Sequence, residues 1–226
     1  MNSSNFFYRL IYPNLANITS VLGVLPLFLL FTENGFQYLI PLIIYNNIMD
    51  DLDGILAAKL NIRSQFGAHL DNVCDAVAHG MIALAVGVHF GGVVLVVAAL
   101  AAGAAILRST ARLDPASKVK GSPTNELMRH LLFILLLAPL LDIDPYWFLA
   151  LAFICHAVTM VSSFAIPGMI RSRANTATKV VLVNIALVVA WLASSLTLMI
   201  ALAFFLTYFY GVYRGMTDER KIVLES

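Results

Sequence analysis

D50-D-L-D53-G54-I-L-A57-A-K-L-N-I-R-S-Q-F-G67-A-H-L-D71-N-V-C-D75 holds five of the thirteen acidic residues of a chain that is 60% hydrophobic. Asp50 and Asp53 are three positions apart and Asp71 and Asp75 are four apart. On helices, each pair projects from one face. Two apolar helices joined by the polar link around Asn61 to Gln65 lie antiparallel and can bring the pairs together. Four carboxylates crowded into low dielectric take up protons, pair with bases or gather cations. The bases at hand are Lys59, Arg63 and Arg108, fewer than the acids. Oxygen-only ligands point to hard divalent ions, Mg²⁺ or Mn²⁺, and four carboxylates suit two of them.

Around this stretch the composition is that of an integral membrane protein. Only 12% of the 226 residues are charged, and the mean hydropathy is +0.86, far from a soluble domain of this size. A formal charge of +1 without a basic run argues against nucleic acid as a partner. Cys74 and Cys155 fall within apolar segments and read as free thiols rather than a disulfide framework. The N-terminus lacks the charged start and small-residue cleavage site of a signal peptide, so the first span is expected to stay.

The expected fold is all-α: one polytopic helical membrane domain over residues 1–226, with no internal repeat and no linker. Residues 2–12 read as a short interfacial helix ended near Pro13. Transmembrane helices are expected at about 15–32, 37–60, 64–90, 92–113, 125–141, 146–167, 178–194 and 196–213. The last two are separated by length. Val180 to Tyr213 as one helix would run about 51 Å, too long for a bilayer, so a turn is placed near Ser194-Ser195. Eight spans is the reading, with six or seven as alternatives. The opening stretch then joins spans two and three.

Charge sets the orientation. Arg9 precedes the first span, and Lys59 and Arg63 flank the second link. Arg108, Arg112, Lys118, Lys120 and Arg129 surround the fourth link. Arg171, Arg173 and Lys179 fill the sixth, and Arg214, Arg220 and Lys221 follow the last span. The odd-numbered links, at Glu33 to Gly35, His89 to Gly92 and Asp142 to Asp144, have no Lys or Arg. The positive-inside rule therefore puts both termini, every even link and the acids at the cytoplasmic face of the inner membrane. Partners there are water-soluble molecules, inner-leaflet lipids, or both. The small residues between Ala98 and Ala105 read as a helix–helix interface, within one subunit or between two in a homodimer.

A charged residue inside a span is a functional hypothesis by default. Gly54 directly after Asp53, and Gly67 one turn before Asp71, permit close approach of a ligand or of a neighbouring backbone. The pattern D50-x2-D53-G54-x2-A57-A58-x8-G67-x3-D71-x3-D75 resembles the CDP-alcohol phosphotransferase signature, D-x2-D-G-x2-A-R-x8-G-x3-D-x3-D. Seven of its eight positions match in register. The departure is Ala58, where the family has Arg. Lys59 is no automatic substitute, because one step along a helix turns a side chain by about 100°.

The resemblance implies a polytopic membrane transferase that uses two divalent cations to bind a CDP-linked donor such as CDP-diacylglycerol. It passes the phosphoryl-containing group to a small alcohol and releases CMP. By the same resemblance, Asp50, Asp53, Asp71 and Asp75 hold metal, and Asp75 also serves as general base. Gly54, Ala57 and Gly67 lie near the cytidine nucleotide. Asp51 matches no signature position. Three further segments resemble the phosphatidylserine synthase branch: A-V-A-H79-G80, Arg108 to Asp114 with Gly121 to Thr124, and T-M-V-S-S at 159–163. They point to L-serine as acceptor, with inositol phosphate, glycerol phosphate and choline as alternatives. Arg108 and Arg112 are four apart at the end of span four, and with Lys120 they are candidates to hold a lipid phosphate or the acceptor. His79 lies one turn beyond Asp75 and can hydrogen-bond to it. His69 points away from the acids, and His89, His130 and His156 receive no role. A cation transporter is the competing class, but transporters bind at the midplane on broken, repeated elements.

Overall fold

A computed structural model describes residues 7–113, 123–162 and 176–224 of the chain. Within them the fold is all-helical, without a strand. The eight α-helices are α1 (Leu15–Val24), α2 (Leu39–Lys59), α3 (Gln65–Phe90), α4 (Gly92–Ala111), α5 (Pro123–Leu141), α6 (Tyr146–Val161), α7 (Ala177–Leu192) and α8 (Ser194–Leu224). Five stretches are long and apolar enough to cross a membrane: Tyr8–Phe31, Gln65–Phe90, Gly92–Ala111, Thr124–Leu141 and Ser194–Thr217. Tyr146–Val161 and Ala177–Leu192 are shorter apolar helices. α2 has 21 residues and carries Asp50, Asp51 and Asp53.

The expected stop at Pro13 does not occur. A π-helical turn, Phe7–Ile11, runs through a 3₁₀ turn, Tyr12–Asn14, directly into α1. Pro13 falls at the start of its turn, where the missing N–H would have had no helical partner. From Phe7 on, the expected interfacial helix is therefore continuous with the first span rather than separate from it, and residues 2–6 lie outside the described residues. Pro26 has a comparable effect further along, tightening the end of that span into a 3₁₀ segment, Leu25–Phe31. The break between the last two helices comes at Ala193, whose ψ of 84° leaves the helical region.

The core is built around α3, α4 and α6. α3 and α4 are joined by Gly91 and Gly92, whose φ values of 66° and 51° are ones that L side chains rarely adopt. The two helices then run in close contact: a Cβ on Gly87 would meet the Cβ of Ala98 at 2.8 Å. Ala98, Ala101, Ala102, Ala104 and Ala105 are all buried, so the small-residue stripe serves packing within the chain. Ile82, Val86, Leu131, Phe133, Leu149 and Phe153 fill the interior. On the outside, Leu100, Leu151, Leu192 and Leu206 are 63, 59, 71 and 66% exposed. Such an apolar exterior is unfavourable in water and is the ordinary lipid-facing surface of a membrane protein.

α1 packs on α2 and α3, α7 on α2, and α5 on α2, α3 and α6. α8 lies against α5 and α7. This arrangement surrounds the acidic face of α2 with α1, α3, α5 and α7.

Candidate active site

Asp53 lies six residues before the end of α2, and Asp71 six residues after the start of α3. Between the helices, Asn61 takes a left-handed φ of 55°. Ser64 then caps α3 by accepting a hydrogen bond from the Gly67 N–H at 2.9 Å. Equal distances from one short link bring the acids level. Asp50, Asp53 and Asp71 each offer a carboxylate oxygen, and these atoms lie within 4.8 Å of one another. Asp53 is buried, and Asp50 and Asp71 are partly exposed. Asp75 is buried one turn further along α3 and is not one of the converging three. The donor set is all oxygen and all anionic, so it suits a hard divalent cation and could hold one.

Beside the acids opens a cavity of about 260 Å³ lined by Asp53, Gly54, Ala57, Gly67 and Asp71. The three positions singled out for a nucleotide therefore share one wall with two of the acids. The glycines differ in what surrounds them. A Cβ on Gly54 would meet nothing within 4 Å, whereas one on Gly67 would meet Asn17 Oδ1 at 2.9 Å and Ser64 Oγ at 3.0 Å. Gly54 keeps space open, and Gly67 lets α1 approach the start of α3. Arg63, in the link, also lines the cavity, while Ala58 is exposed on α2 and does not.

Three of the acids on α2 are held by neutral donors from three different helices. The Ser20 hydroxyl of α1 donates to Asp53 Oδ2. The Asn125 amide of α5 donates to Asp50 Oδ2 at 3.0 Å. The Asn184 amide of α7 donates to Asp51 Oδ2 at 2.7 Å. Asn47, one turn before Asp51, donates to Asn184 Oδ1 at 2.7 Å and to Asp51 Oδ2 at 3.3 Å. Its own oxygen accepts from Arg129 Nε at 3.3 Å and Nη2 at 3.1 Å. Arg129 closes the network with Glu126 at 2.8 Å. The donors named here that reach the acids directly are a hydroxyl and amides, all uncharged.

Sequence reasoning missed Ser20, Asn47, Asn125 and Asn184 as neighbours of the acids. The available signal was weak: isolated polar residues within otherwise apolar spans. Of the basic candidates, Arg108 is buried and donates through Nη1 to the Ser162 carbonyl at 2.7 Å and the Met160 carbonyl at 3.4 Å. It holds the end of α6. Arg112 is partly exposed in the turn after α4, and Lys120 lies outside the described residues. His79 is buried, and His89 stacks on Phe36 with ring centroids 3.5 Å apart.

The family model for CDP-alcohol phosphatidyltransferase matches residues 10–164, from the first helix to just beyond α6. A protein of Aquifex aeolicus (strain VF5), described only as an uncharacterized protein, is 34% identical to the chain over 88 residues. That match covers 38% of this chain and 44% of the Aquifex protein, less than half the length of either.

Proposed function

The chain belongs to the CDP-alcohol phosphatidyltransferase family, and from that premise we propose that it transfers the phosphatidyl group of CDP-diacylglycerol to L-serine. The observation that carries this reading is the meeting of Asp50, Asp53 and Asp71 beside a cavity lined by Gly54, Ala57 and Gly67. Bound divalent cations, Mg²⁺ or Mn²⁺, would neutralise the diphosphate and make CMP a better leaving group. Asp50, Asp53 and Asp71 would hold them, with Asp75 contributing to a second ion.

Gly54 leaves room for the nucleotide, and Arg63 supplies a positive charge to the phosphate side of the same cavity. That placement offers an answer to Ala58: the cation comes from the link rather than from the helix. Asp75 takes the proton from the serine hydroxyl as its oxygen bonds to the phosphatidyl phosphorus. The bond from that phosphorus to the bridging oxygen breaks, and its electron pair leaves with CMP.

Serine is the proposed acceptor on the strength of the segments around His79, Arg108 and Gly121 to Thr124, which resemble the phosphatidylserine synthase branch. We read α2 and the two shorter apolar helices as crossings too, giving eight in a single domain. The basic residues of the even links set the active site at the cytoplasmic face of the inner membrane, where CDP-lipid and a soluble alcohol meet.

The test is purified protein with CDP-diacylglycerol, Mn²⁺ or Mg²⁺ and a panel of alcohols, followed by CMP release. Serine-dependent CMP release is expected. Release with inositol phosphate, glycerol phosphate or choline while serine is inert would replace the acceptor and keep the chemistry. No release with any alcohol would remove the transferase reading.

A further inference from the structure

The family match ends at residue 164, and α7 lies wholly beyond it. Yet α7 reaches the acidic face of α2 through Asn184, which donates to Asp51 at 2.7 Å. Asp51 is next to Asp50 in sequence, and consecutive residues on a helix point about 100° apart. Asp50 accordingly finds Asn125 of α5, and Asp51 finds Asn184 of α7. Any rotation of α2 about its axis would lengthen one of these bonds.

Apolar packing at this seam is incomplete on one side. Between α2 and α7 runs a groove of about 340 Å³ whose walls include Ile48, Leu52, Ile55, Ile185 and Val188. Side chains that leave such a gap interlock less closely there, so directional contacts add to what fixes the rotation of α2 against α7. Asn184 to Asp51 and Asn47 to Asn184 are directional contacts across this seam. Asn47 is itself fixed by two N–H groups of Arg129, whose guanidinium carbon sits 5.8 Å from the centre of the Phe204 ring on α8. A polar chain in which Asn47 and Arg129 are buried thus links the two C-terminal helices to the acid-bearing helix.

We propose that Asn184 is a positioning residue for the transferase: acting through Asp51, it sets the rotation of α2 and so the separation of Asp50 and Asp53 from Asp71. This rests on the proposed metal-dependent transfer and adds to it a part for α7. Asp51 has its place in the stretch as an anchor for α7, which accounts for an acid that matches no signature position. The amide never touches the reacting atoms, so its removal should loosen metal binding and spare the chemistry once metal is saturating.

The experiment uses the full chain in detergent micelles or nanodiscs. It reads Mn²⁺ binding by electron paramagnetic resonance and CMP release as a function of Mn²⁺. Asn184→Leu is expected to raise the Mn²⁺ concentration for half-maximal release about tenfold, the lower end for residues that orient metal ligands. The maximal rate should stay within about twofold of the parent, as expected when ground-state and transition-state binding are lost together. The double exchange Asp51→Asn with Asn184→Asp keeps a donor facing an acceptor and should recover most of the Mn²⁺ affinity. If Asn184→Leu fails to fold, Asn184→Gln keeps the amide but displaces it, and should give a smaller rise in the Mn²⁺ requirement. A parental Mn²⁺ dependence in the folded single variants, or an exchange that recovers nothing, overturns the proposal. A parent protein that neither binds Mn²⁺ nor releases CMP overturns the proposed function itself, a distinct result.

Discussion

Around Asp53 the acids of α2 are held by hydroxyl and amide donors from α1, α5 and α7, and Asp53 opens onto a cavity. Around His130 the polar groups hold one another in a closed interior. His130 Nδ1 and His156 Nε2 are 2.8 Å apart, so one imidazole donates to the other without an ion. The Tyr208 ring stacks on His156 with centroids 4.4 Å apart, and its hydroxyl meets the Thr159 hydroxyl at 3.0 Å. Phe205 covers His130 at 4.4 Å. Both regions bury polar side chains among apolar helices. They differ in charge and access: the histidine cluster is sealed, with His130 Nε2 left without a hydrogen-bond partner, whereas three carboxylates converge beside a cavity. Burying neutral hydrogen-bonding pairs is inexpensive, and burying like charges is not. The second arrangement persists where a cation or substrate makes use of it.

The widest separation between the two regions comes from neutralising a carboxylate. Asp71→Asn should lower CMP release by more than about 100-fold, beyond the range seen for residues that merely orient metal ligands. His130→Phe should leave the rate within about twofold while changing thermal stability, since the ring serves packing. Equal loss of activity in both would break the comparison, and parallel CMP-release and melting measurements decide it.

Asp75→Asn comes next. Turnover should fall by about 10² to 10⁴, the usual contribution of a positioned acid or base. Donor binding, measured by equilibrium titration with CDP-diacylglycerol, should survive because the converging three acids remain. Loss of binding together with turnover would make Asp75 a metal ligand first and a base second.

Arg63→Ala should weaken CMP binding about tenfold, the value of a charge-assisted hydrogen bond reduced by its exposure to solvent. Adding Ala58→Arg to that variant tests whether the helix position can supply the same charge. Calorimetric titration with CMP reads both, and unchanged affinity in Arg63→Ala would remove Arg63 from the nucleotide site.

The smallest effect distinguishes the glycines. Gly67→Ala should destabilise the protein by about 1 kcal/mol, because the new methyl crowds Asn17 and Ser64 at 2.9 and 3.0 Å. Gly54→Ala meets nothing within 4 Å and should leave the melting temperature unchanged while narrowing the cavity and raising the KM for the donor. Similar melting temperatures in the two variants would mean that Gly67 does not need the close approach of α1.

Much of the acid site was legible in the chain because its information is local. Spacings of three and four residues put acids on one helical face, and a short link between two apolar runs levels Asp53 with Asp71. The break near residue 194 was legible from length alone, against the thickness of a bilayer. Pro13 misled because a proline stops a helix only where an N–H is needed, and its place within a turn depends on how the preceding residues enter the span. Arg108 was read as facing a ligand on its charge and spacing. Its contacts with the carbonyls at the end of α6, more than fifty residues away, were not legible from charge and spacing.

By itself the sequence determined the membrane class, the helical periodicity, the family signature and the gap in it at Ala58. These follow from composition and from short-range spacing, which a helix converts directly into geometry. The tertiary structure alone decided which neutral donors serve the acids: Ser20 is 33 residues from Asp53, Asn125 is 75 from Asp50 and Asn184 is 133 from Asp51. It also decided that a cation from the link lines the cavity where the helix offers none. No periodicity encodes such pairings, because helix packing brings them about by matching whole faces, and a single Asn in an apolar span looks the same wherever its partner lies.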